Sequence, residues 1–66
     1  MSVERVTRII ATSPKGFEEA IEEGLGRANK TLRNLQRIDV VSHAVRLRSG
    51  KIHEYEVTLD ITFVIE

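Results

Sequence analysis

Apolar and polar positions change their spacing several times along this chain, and the changes mark its elements. From Glu4 to Ala11, the β-branched Val6, Thr7, Ile9 and Ile10 are interspersed with Arg5 and Arg8. Branched side chains fit a pleated surface better than a helix, so this segment predicts a strand. Thr12-Ser13-Pro14 predicts a helix start, with the Ser13 hydroxyl accepting from orphan amides and Pro14 at the first helical position, where no donor is needed. Phe17, Ala20, Ile21, Leu25, Ala28, Leu32 and Leu35 then recur every three or four residues, giving one apolar stripe along about five helical turns. Ile38 to Leu47 and Ile52 to Ile65 predict two more strands, joined by a tight turn at Ser49-Gly50. The last strand is the most regular. Tyr55, Val57, Leu59, Ile61, Phe63 and Ile65 alternate with Glu54, Glu56, Thr58, Asp60 and Thr62, and only Val64 is out of phase.

With Ser49 and Gly50 as the two turn residues, the hairpin register sets Ile38 against Ile61, Val40 against Leu59 and Ala44 against Tyr55. The same register turns Arg37, Asp39, Val41, His43, Val45 and Leu47 outward, with Asp39 opposite Asp60 and His43 opposite Glu56. Gly24 and Gly26 each cost a helix about 1 kcal/mol relative to Ala, so a close backbone approach is expected there, to the sheet or to another subunit.

The fold expected is α+β, a three-stranded antiparallel sheet in β-α-β-β order curled around one helix, forming a single domain over residues 1–66. One helix covers one face of such a sheet, which leaves Val41, Val45, Leu47 and Val64 bare. Chains this short seldom gain more than about 3 to 5 kcal/mol from a lone core and usually add disulfides, a metal or partner subunits. Cysteine is absent, which removes disulfides, thiolate catalysis and thiolate metal sites, and makes self-association the expected supplement.

Ten basic and ten acidic residues give a formal net charge of zero, so no global field draws the chain to nucleic acid or to anionic lipid. The longest apolar run is Phe63 to Ile65 with Thr62 before it, far short of the ~20 residues that span a bilayer. The amino terminus lacks the basic head and apolar run of a secretory signal, and a cytoplasmic protein is expected. Within the helix, Glu18, Glu19, Glu22 and Glu23 occupy the first half and Arg27, Lys30 and Arg33 the second, as the helix dipole favours.

Four features in this order resemble the dodecins: the strand-helix-strand-strand plan, the segment Ala11-Thr12-Ser13-Pro14-Lys15-Gly16-Phe17, the segment Gly26-Arg27-Ala28-Asn29-Lys30-Thr31-Leu32, and Tyr55 through Phe63. The resemblance covers nearly the whole chain. It implies a hollow homododecamer that binds flavins (FMN or riboflavin) in pairs between subunits, sandwiched by aromatic rings, and that stores or buffers them without catalysing a reaction. Carried over by position, the family's stacking tryptophan falls at Arg37, after Leu35 and Gln36, and its flavin-contacting glutamine falls at Glu56, after Tyr55. An ionised carboxylate only accepts hydrogen bonds and so opposes the ring carbonyls. A guanidinium stacks more weakly than an indole sandwich. Arg37 and Glu56 lie some six residues apart along the hairpin, about 20 Å, so a shared site requires apposed chains. A salt bridge between them across a symmetry axis is one way such a pocket closes.

Asp39 and Asp60, facing one another, repel unless a cation or Arg37 relieves them. A branch of the family without the tryptophan is associated with calcium, which makes these two carboxylates the candidate metal site. Two carboxylates supply too few of the six to eight oxygens calcium takes, so carbonyls, water or a second subunit must contribute. His43 and His53 have no zinc-site spacing, and the helix glutamates read as a solvated face. No nucleophile stands beside a base and no Gly-rich phosphate loop precedes a helix, so no enzyme is indicated. One Tyr and two Phe at core positions make no stacking platform for nucleic acid.

Overall fold

The computed structural model describes residues 1–65. It contains strand β1 (Val3–Ser13), helix α1 (Phe17–Thr31), strand β2 (Leu35–Arg48) and strand β3 (Lys51–Ile65). The three strands form one antiparallel sheet in the order β1-β3-β2, so the strand with the cleanest alternation lies at the centre. Helix α1 packs on β1 and β3 and leaves β2 largely uncovered. Val57, Leu59 and Ile61 are fully buried from the sheet, and Ala11, Ala20 and Ala28 close the core against them. None of the helices among the described residues is long and apolar enough to cross a membrane.

The expected helix start is displaced. Ser13 remains in β1, paired with Tyr55, and its hydroxyl accepts from the Lys15 amide at 3.1 Å in a local serine turn. The helix begins at Phe17, with Gly16 as its cap and no side-chain capping bond. Its end is displaced too. Leu32 is already extended, and Asn34 takes a left-handed φ of 59°, a conformation its short polar side chain tolerates, before β2 starts at Leu35. Leu32 and Leu35 still pack at the end of the core, so the spacing of the stripe is satisfied after the helix has stopped. Leu25, by contrast, is exposed.

The hairpin turn lies at Ser49-Gly50, both with positive φ as a tight mirror-image turn requires. Ile38 pairs with Ile61, Val40 with Leu59 and Asp39 with Asp60, as expected. Beyond Val40 the register slips by one residue at Val41, and it slips back between Arg46 and Leu47. Between these bulges Ala44 faces Glu56 rather than Tyr55, His43 faces Val57 rather than Glu56, and Val45 faces Tyr55. A bulge reverses the face of every residue after it until a second one restores the phase. His43 and Val45 therefore join the helix side, where the Phe17 ring meets His43 edge-on at 4.9 Å and Tyr55 at 5.1 Å. These contacts bridge the helix start to the hairpin.

The two helix glycines differ. A Cβ at Gly24 would stand 3.0 Å from Leu59 Cδ1 and 3.2 Å from Ala11 Cβ, whereas one at Gly26 would meet nothing within 4 Å. Opposite signs follow. Gly24→Ala loses about 1 kcal/mol net, because overpacking costs about 1 to 3 kcal/mol against a helix gain of about 1. Gly26→Ala gains about 0.5 to 1 kcal/mol. Urea midpoints of the two variants check both, and a loss at Gly26 would show another copy of the chain pressed against it.

Candidate functional site

The face of the sheet away from α1 carries the side chains that the fold does not use for its core. Its rows run Val6-Thr62-Arg37, Arg8-Asp60-Asp39, Ile10-Thr58-Ser42 and Thr12-Glu56-Ala44. Val6 and Ile10 are 56% and 61% exposed here, large values for apolar residues in the middle of a strand. Three ion pairs lie on the face, two of them between strands and one within β2. Arg8 holds Asp60 with two hydrogen bonds, Nε to Oδ1 at 2.7 Å and Nη2 to Oδ2 at 3.0 Å. Arg37 Nε donates to Asp39 Oδ2 at 3.2 Å, and Arg46 Nε donates to Glu56 Oε1 at 2.7 Å.

The expected site residues lie on the expected face but in two separate groups. Arg37 sits in the row of Thr62 and Glu56 in the row of Ala44, six residues away along β3, and each has a partner of its own. Asp39 and Asp60 do face one another, and each is neutralised by a different arginine. No group of three or more His, Cys, Asp or Glu gathers in a metal-holding arrangement among the described residues.

Arg8, Arg46 and Thr62 were not legible as site residues. Arg8 becomes visible only when β1 is registered against β3, and Arg46 reaches Glu56 because of the bulge. Thr62 is 4% exposed, and its hydroxyl has no hydrogen-bond partner among the described residues, on the central strand of the same face.

The Arg8 hydrogen bonds hold the Asp60 carboxyl below its ordinary value, with the guanidinium charge adding to them and partial burial opposing. A lowered carboxyl pKa contributes stability above the unfolded-state value, and that contribution is lost as pH falls through the folded value. Asp60→Asn is therefore expected to flatten the acid side of the stability profile and leave the neutral side's slope unchanged. Urea midpoints measured across the acid range check this, and an unchanged acid slope would contradict it.

A family model described as Dodecin matches residues 3–66 of the chain. The chain belongs to the dodecin family. The curated dodecin of Thermus thermophilus is 34% identical over 64 residues, covering 97% of this chain and 93% of that protein. Among solved structures, the dodecin from Streptomyces davaonensis is 38% identical with a TM-score of 0.93, covering 98% of this chain and 96% of its own. A calcium dodecin from Mycobacterium tuberculosis, described as calcium chelating with a novel calcium-binding site, is 32% identical with a TM-score of 0.87, covering 98% and 93%. The β-α-β-β plan read from periodicity is thus the dodecin fold. The positions that the resemblance marks for a ligand, Arg37 and Glu56, lie on the outward face of that fold.

Proposed function

We propose that this dodecin is the protomer of a cytoplasmic homododecameric shell that binds and stores or buffers a small ligand of the flavin class, without catalysis. The ligand site lies between subunits on the outward sheet face and is altered at Arg37 and Glu56. Family membership supports small-ligand binding. The observation that carries the rest is that face itself, which presents Val6 and Ile10 to water and buries the unpartnered hydroxyl of Thr62. Covering one such side chain completely contributes roughly 1.5 to 3 kcal/mol, a large increment for a domain of this size.

A calcium-binding or purely structural shell is the second reading, supported by Asp39 facing Asp60 and by the calcium dodecin among its relatives. The two arginines make it the weaker reading, since a cation entering here must displace both guanidiniums.

Native mass spectrometry of the purified protein is expected to show a twelve-subunit species, and a stable monomer would remove the shell. For the site, the double variant Arg37→Trp/Glu56→Gln is expected to quench riboflavin fluorescence saturably and more tightly than the parent protein. Tryptophan supplies a stacking face and glutamine a donor as well as an acceptor. No gain in quenching would separate these two positions from the ligand site. Calorimetry of chelator-treated protein tests calcium, and heat at low calcium concentration that Asp39→Asn abolishes would favour the second reading.

A further inference from the structure

The opposite side of the molecule carries a cationic groove. Where the end of α1 meets β1 and the last residues of β3, two hollows of about 320 and 190 Å³ adjoin through their shared Thr31 and Leu32. The larger is bordered by Arg5 and Arg33 and the smaller by Arg27, and no carboxylate lines either among the described residues. Arg8, Arg37 and Arg46 on the outward face each hold a carboxylate, whereas none of the ion pairs among the described residues involves Arg5, Arg27 or Arg33. The chain's zero net charge hides this polarity, because the acidic half of α1 lies at its other end.

The groove also has an apolar floor. Ile9 and Leu32 line it, and Phe63 shares the helix-side row of Arg5. Thr7 and Thr31 also line it. Guanidinium groups bind phosphate oxygens in pairs, and a half-buried ring beside them accepts an apolar body. We infer that this groove binds a soluble phosphomonoester with an aromatic or apolar body, at a site separate from the outward face. The negative end of the helix dipole opposes an anion here. That opposition is weaker than even one guanidinium–phosphate hydrogen bond in typical magnitude, and three guanidiniums border the groove.

Titration of the full-length protein with phenyl phosphate, followed by amide chemical shifts, tests the site. Phenyl phosphate is expected to bind more tightly than inorganic phosphate, phenol to bind least, and rising salt to weaken the phosphate-bearing ligands. Arg5→Gln/Arg33→Gln removes two exposed side chains and is expected to weaken phenyl phosphate about tenfold or more. Ser42→Ala, on the opposite face, is expected to leave that affinity unchanged, which keeps this test independent of the flavin-class reading. Absence of binding by phenyl phosphate, or undiminished binding by Arg5→Gln/Arg33→Gln, would overturn the inference. So would sedimentation with phosphatidic acid vesicles in the absence of any response to phenyl phosphate, because the groove would then recognise a lipid surface and not a free ligand.

Discussion

Leu59→Ala is expected to cost about 2 to 5 kcal/mol. Leu59 is fully buried at the middle of the central strand, between Ile9 on β1 and Val40 on β2, and its Cδ1 lies under Gly24 of the helix. Removing the side chain forfeits its transfer from water and leaves a cavity that three rigid neighbours can only partly close. Urea denaturation followed by circular dichroism measures the loss. The contact with Gly24 adds a sharper test. On the Leu59→Ala background a Cβ at position 24 no longer meets Cδ1 and is crowded only by Ala11 Cβ at 3.2 Å and Ile9 Cδ1 at 3.3 Å, so Gly24→Ala should become less destabilising there. The double-mutant cycle isolates this coupling, which is expected at about 0.5 kcal/mol or more. A coupling of zero would show that helix and sheet do not meet at this point.

Thr62→Val is expected to raise stability by about 1 to 2 kcal/mol. The hydroxyl is buried without a partner among the described residues, and leaving such a group unsatisfied costs about 1 to 3 kcal/mol. Valine keeps the branched shape that suits a central strand and removes the oxygen. The measurement is a shift in urea midpoint at constant slope. A loss of stability would mean that Thr62 Oγ1 is bonded by a group from another copy of the chain or from a bound ligand. Its place in the row of Arg37 would then make Thr62 part of the shared site.

These effects follow from different levels of the chain's organisation. The buried row Val57, Leu59 and Ile61 was legible as alternation, because a strand exposes its two faces to different surroundings at every second residue. The turn was legible because a two-residue hairpin needs positive φ and Gly50 supplies it. Ser13 and Pro14 suggested a helix start that the structure displaces, since pairing of Ser13 with Tyr55 holds the strand two residues longer than its local chemistry indicates. Leu32 and Leu35 kept the helical spacing although they lie beyond the helix, because packing at the end of the core satisfies the same interval.

Of the site, the sequence carried the outward placement of Arg37, Glu56, Asp39 and Asp60, together with the facing of the two aspartates. The tertiary structure alone decided their partners. Arg8 reaches Asp60 from a strand that is distant in the chain, and Arg46 reaches Glu56 through a register that the Val41 bulge has shifted.

Sequence by itself therefore determined the order of elements, the buried face of β3 and the surplus of apolar surface, since each depends on the type and spacing of nearby residues. The Val41 bulge, the ion-pair network and the difference between Gly24 and Gly26 were decided only in three dimensions. Each depends on which distant backbone or side chain arrives at a given point, and no local periodicity encodes that arrival.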